Sequence, residues 1–165
     1  MIDKKLRIKI FVFLLIVAVF MQVTFVSQFF QNFIPNFVII MLLAGSIVDR
    51  SSLIFYISFI VGFILEIFSD IYFGSTIVSI ILMVFVVSVL STLLLKKIYS
   101  FNLFFISIVG ILTYNIVYII LININKIQNI LYFFNQLFYI VVFQIIFTLI
   151  FIYPLTYFIL QKNEE

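Results

Sequence analysis

Long apolar stretches separated by short polar clusters dominate the chain. The charges that open it end at Lys9, and no charged residue follows until Asp49. A single helix over residues 10–48 would be about 58 Å long, because an α-helix rises about 1.5 Å per residue. Since the hydrocarbon core of a bilayer is about 30 Å thick, this stretch has to fold back on itself. The polar residues 27–32 mark the place where it can do so, and Pro35 fits the first turn of the second helix.

When the length of each remaining apolar stretch is compared with the thickness of the bilayer core, the chain is predicted to be an all-α integral membrane protein. We expect six transmembrane helices with short loops, forming a single polytopic membrane domain over residues 1–165. Residues 125–135 read as an outer loop or an interfacial helix, and Pro154 is expected to bend the last span. The predicted spans cover approximately residues 8–27, 34–48, 53–69, 76–95, 101–124 and 137–160.

The basic residues indicate how these spans are oriented. With the N-terminus inside, six crossings place all of the 9 Lys and Arg residues except Lys126 in the cytoplasm. Such an excess of positive charge on the cytoplasmic side is typical of multi-pass membrane proteins, so we expect both termini in the cytoplasm.

The basic N-terminus and the apolar run that follows it also resemble a signal peptide. The run is too long, however, and no small-residue cleavage motif follows it, so a retained first span is expected.

Composition supports the membrane assignment and narrows the chemistry. The chain is 67% hydrophobic and 9% charged, whereas soluble domains are about half apolar and about a quarter charged. It has no Cys and no His, so a thiolate nucleophile, a Ser-His-Asp triad and the commonest metal ligand are missing. Cytoplasmic loops explain the net charge of +3, since no basic run is long enough to bind nucleic acid. We therefore expect no enzymatic activity, no cofactor and no metal site.

Glycine and acidic residues recur at every fourth position from Gly62 to Gly74, with Glu66 and Asp70 between the two glycines. Residues four apart share a helix face, and small residues on such a face let a second helix approach closely. Gly45 is another scarce close-contact position, and Gly74 is expected to permit a positive φ in the following turn. Because an acid inside a membrane is costly, Glu66 either belongs to a polar binding site, snorkels to the interface, or caps neighbouring backbone donors.

This run resembles the signature of the rod shape-determining protein MreD family. In that family a glycine-rich third span carries G-x-x-x-D-x-x-x-G-x-x-x-G leading into the next helix, and Gly62 and Gly74 match glycines of the pattern. Glu66 stands where the family usually has Asp, which keeps the carboxylate, and Asp70 stands where it often has Gly. The length of the chain and its six short-looped spans also resemble the family.

Pro35-Asn36 extends the resemblance, because it opens an apolar run as a Pro-Asp or Pro-Asn pair does in the family. The resemblance implies a non-catalytic scaffold of the bacterial inner membrane that maintains rod shape. MreD-like proteins lie beside the bitopic protein MreC and act in the elongation machinery with the MreB filament, RodA and a penicillin-binding protein. The resemblance therefore implies an MreC-like partner, and Gly45 and Gly62 would allow its close approach. It also implies that the protein links peptidoglycan synthesis to the MreB cytoskeleton.

Two amides, Asn115 and Gln144, are the polar residues expected nearest to the middle of the bilayer. They predict either hydrogen bonds between helices or a ligand pocket. Together with Glu66 and Asp70, such a pocket leaves a second function open, the substrate-binding membrane subunit of an energy-coupling-factor vitamin transporter. An ion or proton pathway through Glu66 is a third alternative.

Overall fold

The computed structural model describes residues 4–26, 36–48, 52–68, 73–94, 100–123 and 130–160. Within these residues the chain forms six α-helices and no strand. The all-α prediction is therefore confirmed for this part of the chain. The helices are α1 (Lys4–Met21), which continues into a π-helical stretch (Gln22–Val26), α2 (Phe37–Val48), α3 (Ser52–Ile67), α4 (Ser75–Leu94), α5 (Ser100–Asn123) and α6 (Ile130–Leu160).

The helices follow the apolar runs, and the largest departure from the predicted boundaries is at α6. This helix begins at Ile130 and continues through Pro154 to its end. The polar pair Asn135-Gln136 suggests a loop in the sequence, but neither residue interrupts a helix as proline or glycine would. Of residues 125–135, expected as an outer loop or an interfacial helix, the described part is helical and continuous with residues 137–160.

Consecutive helices run in opposite directions. Close approaches join each neighbouring pair, and where two are present, as for α1 and α2, the later residue of one helix meets the earlier residue of the next, as antiparallel packing requires. These close approaches are Phe11–Gly45 and Gln22–Phe37, then Gly45–Ile54, Gly62–Ile77, Val87–Gly110 and Asn115–Gln144. As a result, α2, α4 and α6 all begin at the same end of the bundle.

The short helix α2 lies at the centre of the bundle. Every residue from Val38 to Ile47 is buried, and α2 contacts each of the other five α-helices in the described part of the chain. Its sequence, FVIIMLLAGSIV, is apolar on all sides instead of on one face, which is the pattern of a helix enclosed by others. With 12 residues it is about 18 Å long, shorter than its neighbours.

Large apolar side chains remain exposed on the helices that surround α2. Among them are Tyr56, which is 71% exposed, and Phe101, which is 75% exposed. Soluble monomers rarely carry extensive apolar surface of this kind. Two helical stretches, Ser75–Leu94 and Phe101–Ile122, are long and apolar enough to cross a membrane, as judged by length and composition. The apolar stretches described in the other helices are shorter.

Candidate functional site

The turn between α3 and α4 shows what Gly74 does in the spaced motif. Gly74 has a φ of 99°, in the left-handed region that favours glycine, so the expected positive φ is confirmed. Its carbonyl accepts the first hydrogen bond of α4, from the N–H of Val78 at 3.0 Å, which places Gly74 at the capping position. Because glycine has no side chain, it cannot accept hydrogen bonds from the other N–H groups of the first turn.

Glu66 supplies the missing acceptor from the preceding helix. Its Oε1 accepts a hydrogen bond from the N–H of Thr76 at 2.6 Å and another from the N–H of Ile77 at 3.4 Å. These are the two donors that a capping side chain normally satisfies. The side chain is only 4% exposed, and the positive end of the α4 dipole favours a carboxylate there. Of the alternatives open for Glu66, the structure shows the one in which it caps backbone donors.

Gly62 brings α3 close enough to α4 for this contact. A Cβ on Gly62 would lie 3.1 Å from the Cα of Ile77, so a side chain there would press on the backbone of α4. Glu66 lies one turn further along the same face of α3, level with the start of α4. Gly62, Glu66, Gly74 and the first turn of α4 are hereafter named the α3–α4 clasp. Asp70, the remaining residue of the motif, lies outside the described residues.

Two tyrosines of α5, Tyr114 and Tyr118, stack on each other with their ring centroids 5.5 Å apart. Neither tyrosine was predicted to belong to a site. Their separation by four residues, on either side of Asn115, is the signal that places them on one face of the helix.

Gly45, the other predicted close-contact glycine, also packs inside the chain. A Cβ there would lie 2.6 Å from Cζ of Phe11 on α1 and 2.8 Å from Cδ1 of Ile54 on α3. Gly110 on α5, which was not predicted, is equally crowded by side chains of α2 and α4. The close approach expected from a partner at Gly45 and Gly62 is therefore made by helices of the same chain.

The start of α2 is capped by two neutral amides. Asn36 precedes the helix, and its Oδ1 accepts a hydrogen bond from the N–H of Ile39 at 3.2 Å. Gln22, at the end of α1, accepts a hydrogen bond from the N–H of Phe37 at 3.3 Å through its Oε1. Pro35, which is expected in the first turn of this helix, lies outside the described residues. Within the Pro35-Asn36 pair, Asn36 is thus a helix cap.

Asn115 and Gln144 meet between α5 and α6. The Nδ2 group of Asn115 donates a hydrogen bond to Oε1 of Gln144 at 3.2 Å, and both side chains are buried. This is the hydrogen bond between helices that the sequence suggests for the two amides. By contrast, the buried hydroxyls of Ser58 and Thr148 donate to carbonyls of their own helices.

The described residues bring no group of three or more His, Cys, Asp or Glu side chains together as a metal site. Comparison of the chain with known protein families, with curated proteins and with solved structures returned no match. The α3–α4 clasp is a fixed connection between two helices, in which the carboxylate of Glu66 accepts hydrogen bonds from two backbone N–H groups.

Proposed function

We propose that this protein is a non-catalytic scaffold of the bacterial inner membrane that acts in cell elongation, as MreD does. In this role it binds an MreC-like membrane protein and links peptidoglycan synthesis to the MreB cytoskeleton. The observation that carries the proposal is the α3–α4 clasp. Gly62, Glu66 and Gly74, which carry the resemblance to the MreD signature, contribute to one contact between two helices. Residues that act together in one contact are expected to form a spaced motif. The shared contact therefore supports the comparison of the Gly62–Gly74 pattern with the MreD signature.

In this proposal all six helices cross the membrane, with both termini in the cytoplasm. The alternating direction of consecutive helices and the distribution of basic residues along the sequence support this topology. The α3–α4 clasp then lies toward the outer face. The 12-residue helix α2 is shorter than the hydrocarbon core, which is about 30 Å thick, but its neighbours surround it with protein instead of lipid.

The partner surface in this proposal lies on the exposed apolar faces of the outer helices. Gly45 and Gly62 are already covered by helices of the same chain, so a partner helix does not reach them. On α3, the side chains of Tyr56, Phe59 and Phe63 form an exposed aromatic row. Because lipid is as apolar as these side chains, a partner helix is recognised by its packing against such a row.

The proposal is tested by photo-cross-linking in native membranes. A photo-reactive amino acid is introduced at Phe13, Tyr56 or Phe104, which are exposed on three different helices, and at buried Val84 as the control. We expect adducts with an MreC-like protein, MreB, RodA or a penicillin-binding protein from an exposed position and none from Val84. Depletion of the protein is expected to turn rod-shaped cells round.

The proposal is overturned if the protein accumulates in the membrane, none of these proteins is captured, and depleted cells keep their shape. Capture of transporter ATPases instead would favour the substrate-binding subunit of an energy-coupling-factor transporter. The topology is tested separately by tag accessibility. A tag at the C-terminus and a tag at residues 96–97 are both expected to be cytoplasmic, and detection on opposite sides contradicts six crossings.

A further inference from the structure

A buried amide pair lies halfway along α6, and its residues belong neither to the α2 cap nor to the α3–α4 clasp. Asn115 is 4% exposed and Gln144 is 3% exposed, and the two side chains are joined by a hydrogen bond of 3.2 Å. Both side chains are enclosed by the bundle, where each amide hydrogen needs an acceptor from the protein or from a bound molecule.

The orientation of both amides is fixed by their hydrogen bonds. Asn115 Nδ2 also donates to the carbonyl of Ile111, one turn earlier on α5, at 2.9 Å. Its two hydrogens are therefore used, one by Ile111 and one by Oε1 of Gln144. Rotating the Gln144 amide by half a turn would bring its NH₂ group against the NH₂ group of Asn115, two donors without an acceptor. The NH₂ group of Gln144 must therefore point away from Asn115.

That NH₂ group is buried and makes no hydrogen bond in the described part of the chain. A buried donor without an acceptor is costly, and each such group in a folded protein calls for an explanation. The bond from Asn115 increases the cost, because an amide that accepts a hydrogen bond at its oxygen is polarised, which makes Nε2 of Gln144 a stronger donor.

We propose that the Asn115–Gln144 pair is a binding site for a neutral hydrogen-bond acceptor, held by Nε2 of Gln144. The unsatisfied group is the NH₂ donor of Gln144, so its ligand supplies an oxygen that accepts. The amides carry no charge, and the basic residues of the described helices lie in the first turns of α1, so an anion has no counter-charge here. A water molecule and the carbonyl, ether or hydroxyl oxygen of a small organic molecule share the required chemistry.

The first experiment examines the protein as purified in lipid nanodiscs, with ¹⁵N in the glutamine side chains. The Gln144 signal is assigned by its disappearance in the Gln144→Met variant. If that variant does not accumulate, the Asn115→Ala variant assigns the signal by shifting it. A cross-relaxation peak between the Gln144 NH₂ group and water supports a bound water. A bound organic molecule is detected instead by native mass spectrometry, as an added mass on the wild-type protein that Gln144→Met removes.

A matched control distinguishes this site from general changes in the bundle. Thr148 lies one turn from Gln144, and its hydroxyl donates to the carbonyl of Gln144, so it is buried and polar but belongs to a different hydrogen bond. Thr148→Val is expected to retain the water peak or the added mass. The inference is overturned if wild-type protein shows neither, or if Thr148→Val removes the signal as completely as Gln144→Met does.

Discussion

Two helices of this bundle, α2 and α4, begin at the same end but are capped in different ways. The cap of α2 is mainly local, since Asn36 lies immediately before the helix and accepts from Ile39. The cap of α4 is distant, since Gly74 has no side chain and Glu66 reaches the first turn from α3. The first cap is neutral, and the second is a buried carboxylate.

The difference shows how a helix start can be tied to tertiary structure. Asn36 can cap α2 wherever α2 packs, because the cap and the helix are adjacent in sequence. Glu66 can cap α4 only while α3 lies against it, and that contact depends on Gly62. The start of α4 and the packing of the α3–α4 hairpin are therefore one cooperative unit, whereas the start of α2 is largely independent.

The largest effect is expected from Gly62→Leu. A side chain at this position meets the backbone of Ile77, so α3 and α4 move apart and Glu66 loses its donors. Overpacking of this kind costs about 3 kcal/mol of stability. Thermal unfolding in detergent measures the effect, with Ile60→Leu on the exposed face of α3 as the control. A stability equal to that of the control would contradict the close packing at Gly62.

The next largest effect is expected from Glu66→Ala. It leaves the N–H groups of Thr76 and Ile77 without their buried acceptor and should cost about 2 kcal/mol. Glu66→Gln keeps an acceptor oxygen and loses only the charge near the helix dipole, about 0.5 kcal/mol. Unfolding of the two variants under identical conditions provides the comparison. Equal losses would show that the charge, and not the hydrogen bonds, accounts for the effect.

A smaller effect is expected from Asn36→Ala at the start of α2. Loss of the bond to Ile39 should cost about 1 kcal/mol, the usual value for a local cap. Asn36→Asp preserves the acceptor and is expected to retain the stability. Combining Asn36→Ala with Glu66→Ala tests the independence of the two helix starts, because the two losses are expected to add. A combined loss well below the sum would mean that the caps are coupled.

The smallest effect is expected from Gln22→Met, which removes the acceptor for the N–H of Phe37 and keeps the length of the side chain. This bond is only partly buried, so water can replace it and the cost should be about 0.5 kcal/mol. Hydrogen exchange at Phe37 is the measurement, and faster exchange is expected there with no change at Thr76. Faster exchange at both Phe37 and Thr76 would show that Gln22→Met destabilises the whole bundle and not only the start of α2.

The sequence was sufficient to predict the helices and the composition of the clasp. Uninterrupted apolar runs determine where helices form, and the four-residue spacing places Gly62 and Glu66 on one face. The capping of backbone donors by Glu66 was one of the expected alternatives. The positive φ of Gly74 follows from its place in a turn between two runs.

What the sequence could not provide is the identity of the neighbouring helix at each contact. Gly62 signals a close approach, but α4 rather than a partner makes that approach. Gly110 packs against Leu43 and Val87, from two other helices, which depends on the arrangement of the whole bundle. Gln22 and Phe37 lie on either side of the connection between α1 and α2. The length of this connection does not determine that these two residues contact each other. The sequence also left open whether residues 125–135 form an outer loop or an interfacial helix, because their polar residues do not exclude a helix.

The enclosure of α2 has a consequence for how this sequence can change over generations. An outer helix can exchange one apolar residue for another wherever the side chain is exposed, because no neighbouring helix has to adapt to the new shape. From Val38 to Ile47, α2 has no such side, and its contacts extend to every other described helix. A change of volume there calls for a compensating change in another helix, so α2 should be the slowest part of the chain to diverge.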